Sequence, residues 1–332
     1  MSRSELDRYE LGGLLGIGTV GKIFSATDGE TGKKVAIKRL NVQACADPLI
    51  RARFKREISI LQRLQHPNIV SYFDSGNEDA SLFYAMELVD GGTVKSALES
   101  GGPLPWQSVV AIAIPLCSAL QCAHNHGVIH RDLKPGNLFL SADGDVKLGD
   151  FGIARDLHHA DLTEAGFAVG THAYMAPEQI RGEASVSDKA DLYALGCCLY
   201  EMLTGRKPFS GESYAKLFDQ HLKAPPPRAK EIATGIPQEL DDIVNELLQK
   251  APDDRPFNAR KVQAVLLRLT EPNKDEVPTI DSPVIVEGKE VLKTRIRDRF
   301  LAPTAPQISF VPLLVVLGLI VLVVLIATAM RS

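Results

Sequence analysis

Apolar and polar positions alternate along residues 9–42 between turn signals, a period of two that predicts strands. Over 54–64 the period changes, with Phe54, Ile58, Leu61 and Leu64 recurring at helical spacing. Strand-like runs return at Ile69–Asp74 and Leu82–Val89, and Asp90-Gly91-Gly92 then breaks the chain. Helical patterns dominate beyond it, over 107–126, 187–205, 213–222, 238–249 and 258–270. Pro115 falls inside the first of these, where it is expected to bend or end the helix. Strands followed by helices predict an α+β class with two lobes meeting near residue 90.

From 271 to 308 the periodicity fails. Pro272, Pro278, Pro283, Pro303 and Pro306, with charge-rich sequence between them, read as a semi-extended linker over 270–309. Phe310 to Met330 then holds no charged residue, and as a helix it would span about 31 Å, enough for a bilayer core. It lacks the polar face of a core helix, Pro312 sits in its first turn, and Gly318 has no glycine partner four residues away. Lys289, Lys293, Arg295, Arg297 and Arg299 precede it, which by the positive-inside rule keeps the large domain in the cytoplasm. Only Arg331 and Ser332 follow, so the expectation is a single-pass tail anchor with its C-terminus on the far side of the membrane. Met1 to Tyr9 is polar and reads as no signal peptide.

A net charge of −4 without a Lys/Arg run argues against a nucleic-acid partner. Cys45, Cys117, Cys122, Cys197 and Cys198 lack disulfide or zinc spacing and read as buried thiols in a reducing compartment.

The chemistry concentrates in His130-Arg131-Asp132-Leu133-Lys134-Pro135-Gly136-Asn137 and, thirteen residues later, Asp150-Phe151-Gly152. Together they supply a base, a phosphate-binding cation and two metal ligands, the equipment for phosphoryl transfer from a metal-bound nucleotide. This run resembles the catalytic and metal loops of protein kinases, and Lys134 resembles their Ser/Thr-specific branch. Gly16-Ile17-Gly18-Thr19-Val20-Gly21 alone is ambiguous. A Rossmann loop would open a helix, whereas Lys22 to Ala26 alternates, and a P-loop needs Ser or Thr where Ile23 stands. A glycine hairpin followed by Val35-Ala36-Ile37-Lys38 instead matches the kinase pattern. As isolated residues Lys38 and Glu57 would be an ordinary surface pair; in register with the other motifs they read as functional.

The resemblance covers residues 9–269 and implies a bilobal protein kinase fold, N-lobe 9–89 and C-lobe 90–269. It points to the eukaryotic-like (Hanks-type) Ser/Thr kinases, in the flavour of membrane-bound bacterial members, through Asp150 to Arg155 and Ala176-Pro177-Glu178-Gln179. It implies ATP held by Leu15, Gly16, Gly18, Gly21, Ile23, Ala36, Lys38, Glu57, Glu87 and Val89, with Met86 as gatekeeper and Leu138-Phe139-Leu140 beneath the base. It makes Asp132 the catalytic base and Lys134 the cation that neutralises γ-phosphate charge as it develops, and gives Mg2+, with Mn2+ as an alternative, to Asn137 and Asp150. Glu178 paired with Arg255, and Asp191 anchoring the catalytic loop, are implied as structural. Arg131, Thr163 and Thr171 are implied as regulatory, Thr171 also contacting Asp132 and Lys134. Partners would be proteins carrying Ser or Thr, with dimerisation open and Thr93 giving no sign of a preference for basic substrates. Val20 at the loop tip departs from the usual pattern and could loosen the lid over the γ-phosphate. The alternative is a catalytically weak nucleotide-binding signalling scaffold. A small-molecule phosphotransferase fits less well, since it would lack the Glu178–Arg255 and Gly170-Thr171 features.

Thr163, in Asp161-Leu162-Thr163-Glu164, is the expected autophosphorylation switch. Thr163→Ala should remove phosphate from the activation segment, read by mass spectrometry, and lower transfer activity; full activity in that variant contradicts the assignment.

Overall fold

The computed structural model describes residues 5–18, 20–78, 81–151, 172–183, 185–271 and 282–301. The alternating N-terminal region folds as β1 (Tyr9–Ile17), β2 (Gly21–Asp28) and β3 (Lys34–Leu40). With β4 (Tyr72–Glu78) and β5 (Ser81–Glu87) they form an antiparallel sheet of order β1-β2-β3-β5-β4. The register sets Ile23 opposite Lys38, Ala36 opposite Met86, and Lys38 opposite Tyr84, so one patch of sheet gathers the residues read as nucleotide-binding. The strand expected from Ile69 begins at Tyr72, and Ile69 instead bridges to Leu148 in the other lobe.

Between β3 and β4 lie the short α1 (Val42–Ala46) and α2 (Pro48–Arg63). Asp47 caps α2 by accepting from the amides of Leu49 and Ile50, and Pro48 sits where its missing N–H costs nothing. The buried face of α2 is Phe54, Glu57 and Leu61, a helical stripe with one carboxylate in it.

The second lobe begins with α3 (Val94–Gly101), a helix that periodicity did not reveal. Its capping box joins Thr93 and Ser96 reciprocally, so Thr93 serves as an N-cap. Then come α4 (Trp106–Asn125), β6 (Leu138–Leu140) paired with β7 (Val146–Leu148), α5 (Pro177–Ile180), α6 (Lys189–Thr204), α7 (Tyr214–Lys223), α8 (Gln238–Leu247) and α9 (Ala259–Arg268). α4 does not end at Pro115 but runs on through it. A proline inside a helix costs ~3 kcal/mol, whereas each large apolar side chain fully buried contributes about 1.5–3 kcal/mol. With twelve residues of α4 buried, packing wins. Among the described residues α4 is also the one helix apolar and long enough to cross a membrane, and it lies in the C-lobe core. The apolar run 310–330 lies outside the described residues.

One expectation is corrected. Part of the stretch read as a semi-extended linker is a helix, α10 (Pro283–Leu301), and through Arg297 it belongs to the same compact unit as the two lobes. Ile285, Leu292 and Ile296 form its buried stripe. Ser108 donates to the Gly288 carbonyl at 2.9 Å, Lys289 meets Asp145 at 2.7 Å, and the Arg295 guanidinium donates to the carbonyls of Gly102 and Pro103, both at 2.6 Å. Arg295 thereby satisfies a carbonyl at the C-terminal end of α3. Lys289 and Arg295, two of the cations read as a topology signal, are thus engaged by the C-lobe.

At Gly288 an added Cβ would lie 2.5 Å from the backbone oxygen of Gln107. Gly288→Val should therefore lower the stability of the full chain by roughly 1–3 kcal/mol, the usual cost of overpacking. An unchanged melting temperature would mean that α10 is not docked there in solution.

Candidate active site

The glycine hairpin closes through a hydrogen bond from the Gly18 amide to the Gly21 carbonyl at 2.9 Å. Gly21 is required by packing, because a Cβ there would collide with the Arg39 carbonyl on β3. Gly16 and Gly18 differ: an added Cβ meets nothing within 4 Å at Gly16, and only the Gly21 oxygen at 3.6 Å at Gly18. The protein's own packing does not demand glycine at these two positions, whereas close approach of phosphates to backbone amides does. Leu15 is exposed, Val20 and Ile23 are half-buried, and Ala36 is buried beside Met86. Thr19 lies outside the described residues.

Lys38 stands between two carboxylates, its Nζ 2.7 Å from Glu57 Oε1 and 3.1 Å from Asp150 Oδ1. Burial disfavours its charge, but the attraction of Asp150, Tyr84 and Glu57 outweighs this and holds its pKa well above the lysine norm. The same ammonium, ahead of the opposing effect of burial, holds the Asp150 carboxyl below its usual range. Lys38 is therefore a permanent cation and Asp150 a permanent anion at neutral pH.

The catalytic loop is hung from α6. Asp191, fully buried there, accepts the amides of His130 and Arg131, each at 2.8 Å, and contacts the His124 ring nitrogen at 2.8 Å. Burial pushes its carboxyl up, and the bonds from His124 and His130 overcome this and leave it low. Among the described residues, only Arg131 (φ 63°) and Asp150 (φ 50°) are non-glycine residues with positive φ. Strain of this kind persists where the surroundings over-determine the backbone. The buried His130 ring joins the two loops, stacking on Phe151 at 4.7 Å with Nε2 3.1 Å from the Gly149 carbonyl.

Lys134 Nζ meets Asp132 Oδ2 at 2.7 Å. Asn137 Nδ2 donates to the Asp132 carbonyl at 2.8 Å and lies 3.3 Å from Asp132 Oδ2 and 3.4 Å from the Asp150 carbonyl. All these contacts use the amide nitrogen, which leaves Asn137 Oδ1 as an acceptor beside the ionised Asp150. Two hard oxygen ligands suit a cation such as Mg2+ that completes its shell with phosphate and water. Among the described residues no cluster of three His, Cys, Asp or Glu side chains could cage a metal unaided.

At the hinge the Glu87 amide donates to the Ser71 carbonyl at 2.8 Å. The Glu87 side chain meets Lys147 of β7 at 2.8 Å and so ties the lobes together. Val89 is half-buried. Of the three residues expected beneath the base, Leu138 and Leu140 point into the C-lobe core, 0% exposed, and only half-buried Phe139 faces the other way.

Glu178 and Arg255 meet in two bonds of 2.7 and 2.8 Å. The remaining Arg255 donors reach the carbonyls of Lys189, Gln249 and Lys250, so every guanidinium N–H is satisfied. Thr163, Gly170 and Thr171 lie outside the described residues. Sequence reasoning missed Tyr84, which donates to Glu57, His124, which supports Asp191, and Gln179, which reaches the Arg131 carbonyl at 3.3 Å. No motif marks His124, Gln179 closes the Ala176-Pro177-Glu178-Gln179 run without a role attached to it, and Tyr84 shares a strand face with Met86, which alternation could have flagged.

Residues 9–265 match the protein kinase domain family. The chain is 38% identical over 279 residues to serine/threonine-protein kinase PknB of Mycobacterium leprae, covering 82% of this chain and 45% of that protein. It is 39% identical over 273 residues to serine/threonine-protein kinase PknH of Mycobacterium bovis, covering 82% and 46%. The chain thus spans about half the length of these relatives. A crystal structure of Rad53 1-466 in complex with AMP-PNP superposes with a TM-score of 0.66 at 28% identity, covering 79% of this chain and 66% of that one.

Removing one partner of a buried ion pair strands the other charge. Arg255→Met should cost ~3–5 kcal/mol of stability in urea unfolding; a loss below about 1 kcal/mol, the range of surface pairs, would contradict the sealed geometry.

Proposed function

This chain belongs to the protein kinase family, and from that premise we propose that it transfers the γ-phosphoryl group of ATP to Ser and Thr hydroxyls of proteins. The observation that carries the proposal is convergence: Lys38, Asp150, Asn137, Asp132 and Lys134, drawn from three separate segments, are linked by contacts of 2.7–3.4 Å. The Ser/Thr preference is supported by Lys134 and by the relatives' names. Nucleotide binding is supported by the AMP-PNP bound in the Rad53 structure.

In this reading the bare backbone at Gly16 and Gly18 lies over the phosphates, and Lys38 grips the α and β groups while Glu57 holds it in place. The Glu87 carbonyl and Val89 amide bond the base, between Ala36 above and Phe139 below. Asn137 and Asp150 would hold Mg2+, which would supply positive charge to offset that of the phosphates. Asp132 orients the substrate hydroxyl and takes its proton as the oxygen attacks γ-phosphorus and the bond to the β-phosphate oxygen breaks, releasing ADP. Lys134, in contact with Asp132, stabilises charge on the transferring group.

Two regulatory readings accompany this. Phosphate on Thr163 would be drawn to Arg131, next to the catalytic base, and order the activation segment. The uncharged run 310–330 would anchor the kinase domain to the cytoplasmic face of a membrane, supported by its length and by the cationic residues before it.

The test is transfer of labelled phosphate from Mg·ATP by the full chain beside Asp132→Asn. Loss of general-base function should lower transfer roughly 100-fold or more. Tight nucleotide binding without transfer by the unaltered chain would favour the scaffold.

A further inference from the structure

Tyr84 has no part in the machinery described above, yet it lies against the centre of it. On β5, in register with Lys38, it is 1% exposed. Its ring packs on Phe54 of α2 (centroids 5.3 Å apart), and the Lys38 ammonium lies 5.7 Å from the ring centroid. Its hydroxyl donates to Glu57 Oε1 at 2.7 Å, the same oxygen that Lys38 meets at 2.7 Å.

A buried tyrosine that only filled space could be phenylalanine. The hydroxyl here answers a particular need: Glu57 is 8% exposed, and a carboxylate out of water requires more than one donor. Burial and the neighbouring Glu57 charge hold the phenol pKa well above normal, so it remains a donor at any working pH. Towards its ends α2 is fastened by the Asp47 cap, by Gln62, which meets the Tyr72 hydroxyl at 3.2 Å, and by Arg63, which donates to the His126 carbonyl at 3.3 Å. Glu57 is mid-helix.

We propose that Tyr84 is a positioning residue, its hydroxyl holding the Glu57 carboxylate, and with it α2, where Glu57 can fix Lys38 for the nucleotide phosphates. This rests on the reading of Lys38 as the phosphate-binding lysine.

The experiment compares the full chain with Tyr84→Phe, Glu57→Gln and the double variant, by steady-state kinetics, melting temperature and amide hydrogen exchange. Loss of a hydrogen bond to a charged group should lower kcat about tenfold in Tyr84→Phe, with KM for ATP little changed and a lowered melting temperature that still leaves the variant folded at the assay temperature. In the Glu57→Gln background the same change should cost nothing further, because the two side chains act as one unit. Exchange over residues 54–61 should quicken in Tyr84→Phe. A wild-type kcat, additive losses, or unchanged exchange would each overturn the proposal. Should the unaltered chain transfer no phosphate, the kinase reading falls and exchange over 54–61 alone decides: quickened, Tyr84 positions α2; unchanged, it does not.

Discussion

A single buried carboxylate sets the geometry on which the rest of the site depends. Asp191 has no exposure to water, a position that would cost several kcal/mol for an unpaired charge. It persists because the His130 and Arg131 amides and the His124 ring surround it. Hydrogen bonds to a charged acceptor are worth roughly 1.5–3 kcal/mol each, against the ~1–3 kcal/mol of strain in a residue such as Arg131 with positive φ. The balance favours the bent loop, and the bend carries Asp132, Lys134 and Asn137 towards Asp150. Take away the anchor and the sequence of the loop no longer specifies its shape.

Two ion-pair clusters use similar chemistry to different ends, and solvent access separates them. Glu178 and Arg255 have side chains 2% and 0% exposed, with every guanidinium donor engaged, so nothing remains for a ligand. The Lys38 and Asp150 side chains are 19% and 31% exposed. Asp150 offers a carboxylate oxygen beyond its contact with Lys38. The first cluster fastens the segment around Ala176-Pro177-Glu178 to the C-lobe; the second is a polar cradle held together by the protein's own contacts and open to solvent.

Much of this was legible in the chain because short-range chemistry dictates it. Alternation marks β1 to β3, helical spacing marks α4 and α6 to α9, and the His130–Asn137 run and Lys38 name their own chemistry. What escaped depends on tertiary context. Among the described side chains the stripe of α10 holds Ile285, Leu292 and Ile296, diluted by charges whose partners, Asp145 and the Gly102 and Pro103 carbonyls, are remote in sequence. Pro115 reads as a bend or an end, and local propensity cannot choose between them without the burial of the helix around it. Tyr84 resembles any other apolar strand residue until its hydroxyl is seen on Glu57. Among Leu138, Phe139 and Leu140, the resemblance marked the stretch but not which face looks out, and pleating turns only Phe139 from the C-lobe core.

The most direct test of the central claim is where a metal and nucleotide settle. Crystals of the full chain grown with Mn2+ and a non-hydrolysable ATP analogue would locate the metal by its anomalous scattering. The account predicts a peak held by the Asn137 amide oxygen and the Asp150 carboxylate, with Lys38 on the α and β phosphates and the γ group facing Asp132 and Lys134. A nucleotide bound elsewhere, or a metal away from both Asn137 and Asp150, would contradict it.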